Sequence, residues 1–402
     1  MTLHRAMGLG LSLSVAACGG ASEPSPDAPL SFSVDFTQNQ HGLPEATCAR
    51  PACRRLLGLI DGSERTIDFA IYGIRAQDHV LRALSAAERR GVRVRGVVDA
   101  EDEDCSVFEY PETQALFDVL APGSVRCDAG PDAGAILHDK FFVFDRRAVW
   151  TGSTNLSDTE LGGEYNTDVA AVFHSRALAA IYEHELEEMF GGRFHTDKAD
   201  DTEHVLDGRV FGGGTIVKSY FSPSDHATDN AVLPLIDGAT RTLDVAMFFF
   251  TNELIADAML AAAARGVRIR MILDAEGAQN RYSQHPRLCA QGIALKIENW
   301  GGKAHAKWAV ADAGSPRAAT VFGSMNWTAA GDASNDENTL YVKNTEIAAR
   351  FAAEFEREWA DLGGVPECAP IKPEGGDSPG SCGDGVDNDH DGYVDSDDFD
   401  CD

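Results

Sequence analysis

Apolar and polar positions follow the same order twice along the chain. Each half predicts a helix, an apolar strand, an amphipathic helix at 80–90 or 253–265, a second apolar strand, a third strand and a closing helix. Strands that alternate with helices are typical of a parallel or mixed sheet covered by helices. The pattern therefore predicts an α/β fold made of two related halves, each a mixed β-sheet flanked by helices.

Short segments that are identical or nearly so support this duplication. They stand at 59–62 and 235–238, at 65–68 and 241–244, at 91–95 and 266–270, and at 99–101 and 274–276. Because both halves lie in one chain, we expect a fused pseudo-dimer in which the two sheets face each other across a pseudo-twofold axis. The expected oligomeric state is therefore a monomer.

A histidine and a lysine two positions apart mark the third strand in both halves. The residues that follow them are apolar up to an aspartate, so the two side chains point to the same face of a strand. A Gly-Ser-x-Asn segment comes next. The duplicated set is His138, Lys140, Asp145, Ser153 and Asn155 in the first half and His305, Lys307, Asp312, Ser324 and Asn326 in the second half.

A histidine beside a lysine is suited to phosphoryl transfer. Imidazole is a nucleophile, and near neutral pH it is also an acid or a base. Ammonium, hydroxyl and amide groups donate hydrogen bonds to phosphate oxygens. With two histidines in one site, one attacks phosphorus while the other protonates the leaving alkoxide and then activates water. A lone histidine on a strand is more often structural, but the complete duplication argues for one shared active site.

This constellation resembles the phospholipase D superfamily, whose members share the HKD motif and a phosphohistidine intermediate and need no catalytic metal. The resemblance covers about residues 55–360. It implies that His138 is the nucleophile and His305 the general acid and base, although the near symmetry of the halves leaves the reverse order open. Asp145 and Asp312 complete the catalytic motif, with structural or orienting roles. The implied phosphate ligands are Lys140, Lys307, Ser153, Ser324, Asn155 and Asn326.

In this family a carboxylate also hydrogen-bonds the far nitrogen of each histidine and fixes its tautomer. Glu337, which precedes an Asn-Thr pair, fits that role in the second half. Aligning it with the Asn-Thr pair of the first half puts Tyr165 in the equivalent place and Glu164 one residue earlier. Glu164 is the candidate, and the carboxylate of the first half stays unsettled.

Two further groups of side chains have less specific signals. Histidines outside the motifs, such as His195, lack a partner motif and are expected to be structural or solvated. The run 248–250 is Phe-Phe-Phe and ends a strand near the expected rim of the site. We expect core packing for at least two of these rings, with an apolar substrate wall as the alternative.

The N-terminus predicts a signal peptide at 1–17. A cation, Arg5, precedes the apolar run 6–17, which is too short to span a bilayer as a helix. The run ends in a segment that resembles a bacterial lipobox, with Cys18 as the lipidated first residue of a tether at 18–45. Cleavage of an ordinary signal peptide near Ala17 or Ala21 is the alternative. We therefore expect a bacterial envelope lipoprotein, held to a membrane through its lipid anchor, or a secreted protein.

Eight cysteines remain when Cys18 is set aside from the nine in the chain. An even number in an oxidising compartment predicts disulfides, although many pairings are formally open. Proximity in the sequence favours Cys48 with Cys53, Cys105 with Cys127, and Cys382 with Cys401, which leaves Cys289 for Cys368.

The acidic C-terminal tail contains a segment that matches a calcium loop of EF-hand type. Carboxylates occupy its first, third, fifth and ninth positions with a glycine at the sixth, and an Asp stands where this motif has Glu at the twelfth. A merely solvated acidic tail is the alternative. The candidate Ca²⁺ ligands are Asp387, Asp389, Asp391, Tyr393, Asp395 and Asp398.

Charge narrows the classes of partner. The 402-residue chain has a formal net charge of -30, and the acidic tail accounts for only part of it. A sequence-independent nucleic-acid binder usually has a basic surface, and this chain does not predict one. Phospholipid is therefore favoured over nucleic acid as the substrate.

The sequence thus predicts a phosphoric diester hydrolase of phospholipase D type that hydrolyses or transphosphatidylates phospholipids without a catalytic cofactor. The alternatives are a secreted endonuclease of the same superfamily and a calcium-dependent binding lipoprotein with a vestigial enzyme domain. The predicted segments are the signal peptide (1–17), the lipidated tether (18–45), the first half (46–192), a linker (193–214), the second half (215–363) and the tail (364–402).

Overall fold

Two seven-stranded sheets, one from each half of the chain, form the centre of the fold. The computed structural model describes residues 31–38, 44–102, 104–128, 134–163, 165–199 and 214–369. The predicted lipidation site Cys18, the calcium-loop candidates 387–398 and the pair Cys382–Cys401 lie outside these residues.

The first sheet is mixed and has the strand order β1-β7-β6-β5-β2-β3-β4. Its β2, β3 and β4 run parallel, whereas the other neighbours are antiparallel. The strands are β1 (Ser31–Thr37), β2 (Thr66–Ile71), β3 (Arg93–Val98), β4 (Val125–Cys127), β5 (Lys140–Phe144), β6 (Ala148–Gly152) and β7 (Asp168–His174), and the helices are α1 (Pro51–Gly62), α2 (Asp78–Arg89), α3 (Gln114–Val119) and α4 (Arg176–Phe190).

The second sheet repeats this topology strand for strand. In the same direction as the first sheet, its order is β8-β14-β13-β12-β9-β10-β11. The predicted fold class, with two related halves that are each a mixed sheet flanked by helices, is therefore confirmed. The strands are β8 (Ile216–Ser222), β9 (Thr242–Met247), β10 (Arg268–Leu273), β11 (Ala294–Ile297), β12 (Lys307–Ala311), β13 (Ala319–Gly323) and β14 (Glu337–Lys343), and the helices are α5 (Leu233–Gly238), α6 (Glu253–Ala264), α7 (Ala275–Gln279), α8 (His285–Ala290), α9 (Ala329–Ala333) and α10 (Thr345–Asp361).

Strand β1 changes one predicted boundary. Residues 31–37 fall within the predicted tether, yet they pair with β7 along their whole length. Val34 is buried, and Phe32 and Phe36 pack against the same core, because every second side chain of a strand points to one face. This segment therefore belongs to the first sheet.

Alternating burial along the strands separates the cores. On β5, Phe141 and Val143 belong to a core that both halves share, whereas Phe142 and Phe144 face a core of the first half alone. The shared core includes residues of α4 and α10. The two halves are thus packed into one body.

Backbone contacts then cross between the halves beside both histidine motifs. The His138 N–H donates to the Asp336 carbonyl at 2.8 Å, and the Asp336 N–H donates to the Ile136 carbonyl at 3.0 Å. On the pseudo-symmetric side, the Thr167 N–H donates to the Lys303 carbonyl at 2.9 Å. Each histidine motif is therefore held against the residue that directly precedes β7 or β14 of the opposite half.

Three predicted disulfides are formed, namely Cys48–Cys53, Cys105–Cys127 and Cys289–Cys368. Among the described residues, no helix combines the length and the apolar character that crossing a membrane requires.

Candidate active site

Both motif histidines open into one pocket between the halves. His138 and His305 each stand two residues before the lysine that begins β5 or β12, and each is 7% exposed. They line the same cavity of about 780 Å³. The Lys140 ammonium donates to the His138 carbonyl at 2.8 Å, and the Lys307 ammonium donates likewise to the His305 carbonyl. The structure thus brings both HxK pairs to one place.

A carboxylate from the opposite half holds each histidine. His138 Nδ1 lies 2.7 Å from Glu337 Oε2, and His305 Nδ1 lies 3.0 Å from Asp168 Oδ1. Asp168 begins β7 and Glu337 begins β14, so the two acids are equivalent. A hydrogen bond at Nδ1 fixes the ring and leaves Nε2 for chemistry.

Among the described residues, Asp168 is therefore the carboxylate that the first half supplies to His305. Glu164 itself lies outside the described residues. Strand register pairs Gly152 with Ala170 and Gly323 with Thr339, so the alignment based on Asn-Thr pairs is displaced by three residues. The available signal was an acid at the start of a strand: Asp168 directly precedes the apolar run 169–173, and Glu337 precedes Leu340 by three residues.

The two motif serines hold these carboxylates, which corrects their predicted role as phosphate ligands. Ser153 Oγ donates to Asp168 at 2.7 Å, and Ser324 Oγ donates to Glu337 at 2.6 Å. Each hydroxyl oxygen also accepts the backbone N–H of the residue after the carboxylate. The one hydroxyl proton of each serine is thus already used, and both serines are fully buried.

The preceding glycine explains this placement. A Cβ at Gly152 would lie 2.0 Å from the Val169 carbonyl oxygen, and one at Gly323 would lie 1.9 Å from that of Asn338. Only glycine allows the two strands to approach this closely. The glycine of the motif therefore brings the serine under the carboxylate.

The two motif asparagines line the pocket, where the sequence predicts phosphate ligands. Asn155 Nδ2 donates to Glu160 at 3.0 Å, and Asn326 Oδ1 accepts from the Phe249 N–H at 3.4 Å. An amide nitrogen has two protons, so each side chain retains donor capacity toward a phosphate.

Asp145 and Asp312, predicted as the last residues of the catalytic motifs, do not line the pocket and bind backbone groups instead. Asp145 accepts the backbone N–H groups of residues 64, 65 and 66, and Asp312 accepts those of residues 240, 241 and 242. They anchor the starts of β2 and β9, which pair with the histidine strands. These contacts give both aspartates a structural role, which is one of the two roles that the sequence predicts for them.

Another pair of acids, missed by the sequence reasoning, fixes the residue before each histidine. Asp99 accepts the Leu137 N–H at 2.7 Å, and Asp274 accepts the Ala304 N–H at 2.8 Å. They are the aspartates of the repeated Asp-Ala-Glu segments. Their recurrence in both halves was the signal that marked them.

Burial sets the charge states of the motif bases. It lowers the pKa of His138 to about 4 and that of His305 well below its usual value, so both rings are neutral in the free protein. Burial also lowers the pKa of Lys140 to about 8 and that of Lys307 to about 7. A phosphodiester anion entering the pocket favours the cationic form of both lysines.

The two orienting acids differ in their protonation. Burial opposes the ionisation of Glu337, but His138 and Lys140 outweigh it and hold the pKa of this carboxyl below its usual value. At Asp168, burial prevails over Lys307 and the Ser153 hydrogen bond and raises the pKa to about 7. Of these two acids, Glu337 is therefore the one that is ionised at neutral pH, whereas Asp168 is close to its pKa.

Aromatic rings form part of the pocket wall. The Tyr72 ring lies 5.7 Å from the His138 ring, and the Phe248 ring lies 4.8 Å from the His305 ring. Phe249 also lines the pocket, whereas Phe250 packs on Trp327 in the core of the second half. Phe248 and Phe250 are buried, as expected for at least two of the three rings, while Phe248 and Phe249 also face the pocket. The charged lining residues are Arg75, Glu109, Glu160, Asp274, Glu276, Glu298 and Lys303.

One group of described residues has the geometry to hold a metal ion. Ligand atoms of Glu160, Asp168 and His305 lie within 4.8 Å of one another. In the structure, His305 Nδ1 hydrogen-bonds Asp168 Oδ1 at 3.0 Å, and Glu160 Oε1 lies 3.6 Å from the same nitrogen. The arrangement is thus suited to sharing protons.

A duplicated mixed sheet with one paired histidine site defines a protein of the phospholipase D fold. The family model described as "Cardiolipin synthase, PLD-like domain" matches residues 56–190 and 232–359, which is more than half of the chain. The chain belongs to this family.

Relatives and a solved structure agree with this assignment. The mitochondrial cardiolipin hydrolase of Xenopus tropicalis is 33% identical over 148 residues, 36% of this chain and 68% of that protein. The corresponding hydrolase of Chlamydomonas reinhardtii is 32% identical over 127 residues, 32% of this chain and 55% of that protein. A phospholipase D of Rickettsia conorii is 29% identical over 135 residues, 34% of this chain and 65% of that protein.

These matches involve only part of each molecule, because the chain spans little more than half the length of the Chlamydomonas protein. The phosphatidylserine synthase of Haemophilus influenzae Rd KW20 has the same fold, with a TM-score of 0.60 at 14% identity over 84% of this chain and 88% of that one.

Proposed function

We propose that this protein cleaves a phosphodiester bond of a phospholipid through a phosphohistidine intermediate. One observation carries the proposal: two histidines, each held at Nδ1 by a carboxylate of the opposite half, line one pocket. Such a pair supplies a nucleophile and a proton donor on opposite sides of one phosphorus atom.

In the first step, His138 Nε2 attacks phosphorus while the bond to the leaving alcohol oxygen breaks. His305 Nε2 gives its proton to that oxygen, so the alcohol leaves neutral. Lys140, Lys307, Asn155 and Asn326 bind the phosphoryl oxygens, whose negative charge increases in the transition state.

In the second step, water attacks the phosphohistidine and gives a proton to His305. The nitrogen–phosphorus bond breaks, and its electron pair returns to His138 Nε2. When an alcohol takes the place of water, the same steps exchange one head group for another. The site thus supports hydrolysis and transphosphatidylation with the same residues.

Charge and apolar surface favour a lipid substrate. The chain has a formal net charge of -30, which opposes the approach of a polyanionic nucleic acid. Tyr72, Phe248 and Phe249 offer rings to an apolar or cationic part of a substrate. The names of relatives, which include cardiolipin hydrolases and a phospholipase D, agree with this choice.

The setting of the enzyme is also part of the proposal. We propose a monomer that catalyses without a metal cofactor, is carried by Cys18 on a bacterial envelope membrane or is secreted, and binds Ca²⁺ only in its tail. A chelator should then leave the rate unchanged, which can be measured with the purified full chain.

The decisive experiment offers the purified protein phosphatidylcholine vesicles and plasmid DNA, both with a chelator present. We expect choline release that disappears in His138→Ala and in His305→Ala. DNA nicking without choline release would replace the lipase with a nuclease of the same superfamily. Inactivity on both substrates would favour a binding protein with a vestigial site.

A further inference from the structure

The groups that face Nδ1 of the two histidines differ by one buried acid, Glu160. Its side chain is 2% exposed, and its Oε1 lies 3.6 Å from His305 Nδ1. Both the backbone N–H and the side-chain amide of Asn155 donate to it. Two carboxyl groups, those of Glu160 and Asp168, therefore face Nδ1 of His305.

His138 has one carboxylate in the equivalent place. The residue five positions after Asn155 is Glu160, but the residue five positions after Asn326 is Gly331. The second neighbour of Glu337 is the neutral amide of Asn335, whose Nδ2 donates to Glu337 Oε1 at 3.2 Å. At Nδ1 of the two histidines, the pseudo-twofold symmetry is thus broken by the carboxyl group of Glu160.

We propose that Glu160 is the positioning residue that makes His305, rather than His138, the proton donor. Together with Asp168 it holds one extra proton beside the His305 ring. This inference rests on the proposed phosphodiesterase function, and it assigns the two steps of that reaction to particular histidines.

Counting charges shows why one more carboxyl group has this effect. Ionised Glu337 with neutral His138 carries one negative charge, and the Nε2 lone pair of His138 is free to attack. Ionised Asp168 and Glu160 would carry two negative charges beside His305, so the group takes up one proton to reach the same total. That proton is held by the carboxyl pair, which donates a hydrogen bond to Nδ1, so the single proton of the neutral His305 ring is on Nε2 and can be donated.

The proton then follows a balanced path. When Nε2 of His305 gives its proton to the leaving oxygen, the proton held by the carboxyl pair moves to Nδ1. The ring ends neutral and both acids end ionised. In the hydrolytic step, the proton from water goes to Nε2 of His305. The proton on Nδ1 then moves back to the pair of carboxyl groups.

The electrostatics of the pair agree with this count. Burial raises the pKa of Glu160, and the negative charge of Asp168 raises it further. Glu160 in turn raises the pKa of His305 against the lowering effect of burial. The charged and titratable groups that face Glu160 are Asp168, His305, Lys140, Lys307, Lys303, Arg75 and Tyr110.

The test compares two short-chain phosphatidyl esters that differ only in their leaving group. Choline leaves as an alcohol that needs a proton, whereas p-nitrophenol leaves as an anion that does not. Single-turnover release from excess enzyme reports the first step alone. In Glu160→Gln, we expect choline release to fall at least about tenfold while nitrophenol release changes by less than about twofold.

The pH profile gives a second readout. Because the variant lacks the carboxyl that helps retain the proton, the alkaline decline of choline release should move to lower pH. The profile for nitrophenol release should not move. Glu160→Asp, which keeps an acid at the position, should restore the wild-type profile in part.

Controls separate this inference from loss of folding and from failure of the proposed function. Retained nitrophenol release shows that Glu160→Gln is folded. Glu183→Gln removes another buried acid, one that binds Arg146 away from the pocket lining, and should leave both rates unchanged. If wild-type protein releases neither leaving group, the proposed function fails.

Equal losses with both esters, or an unchanged rate of choline release, would overturn the role of Glu160. An acid quench adds an independent check. The trapped phosphoryl group should be on His138, and finding it on His305 would also overturn the assignment.

Discussion

At the residue scale, each histidine depends on an acid that its own half does not provide. Glu337 holds His138 at 2.7 Å, and Asp168 holds His305 at 3.0 Å. Ionised Glu337 accepts at Nδ1 of His138 and so selects the tautomer of His138 in which Nε2 has a lone pair. Nucleophilic attack by His138 therefore requires a strand of the second half to be in place.

Replacing Glu337 with Gln tests this dependence. A glutamine keeps the shape of the side chain but can offer an N–H to Nδ1, which would reverse the tautomer of His138. We expect kcat to fall by about a hundredfold or more for choline and nitrophenol esters alike, because either group leaves only when His138 attacks phosphorus. Steady-state rates with both esters measure it, and a loss confined to the choline ester would contradict the nucleophilic role of His138.

Sequence alone predicted the histidines and lysines of the site but only one of its two orienting acids. Duplication marked His138 and His305 because both copies of the motif are complete. Asp168 was missed because the loops between the serine and the acid differ in length, so local alignment failed. Glu160 has no counterpart in the second half, and duplication therefore could not indicate it.

At the element scale, an aspartate after the histidine strand fixes the start of the neighbouring strand in each half. Asp312 accepts three consecutive backbone N–H groups and the Thr240 hydroxyl. Asp145 accepts the matching three backbone groups. Removing either side chain leaves those donors without a protein acceptor, at a cost in stability.

We expect Asp312→Ala to lower the free energy of unfolding by about 2–4 kcal/mol without changing kcat well below the melting temperature. Asp145→Ala, the matched variant of the first half, should behave alike. Denaturant unfolding and steady-state rates measure the two effects. A large fall in kcat with unchanged stability would contradict the structural role and indicate that Asp312 takes part in the reaction.

Periodicity predicted three strands and three helices in each half, but neither the strands β6, β7, β13 and β14 nor the edges of the sheets. β4 and β11 are short, with three and four residues, and too brief for a periodic signal. β1 and β8 precede the repeated segments and pair with distant strands, so only tertiary structure reveals them.

At the scale of the whole molecule, a buried ion network joins the halves beside the catalytic strand β14. His195, which follows α4, lies between Asp128 at 2.7 Å and Asp336 at 3.0 Å. Lys198 lies 2.7 Å from Asp336 as well. Asp336 directly precedes Glu337, so this network fixes the strand that orients His138. The expectation that His195 is structural or solvated agrees with its burial.

The charge of His195 should make the stability of the protein depend on pH. Burial lowers its pKa, but the hydrogen bonds that its ring donates to Asp128 and Asp336 outweigh burial and raise the pKa to about 10. An unfolded histidine has a pKa of about 6.5. Because the folded pKa is the higher one, the stabilisation is complete below about pH 6.5 and is lost as the pH rises through about 10.

Comparing wild type with His195→Gln tests this network. We expect the variant to be less stable by about 3 kcal/mol at pH 6, since it leaves buried acids without their cation. The difference should shrink steadily toward pH 10, where His195 of the wild type also loses its proton. Chemical unfolding at a series of pH values measures the difference. A gap that stays constant across this range would show that packing, and not the charge of His195, joins the halves at this point.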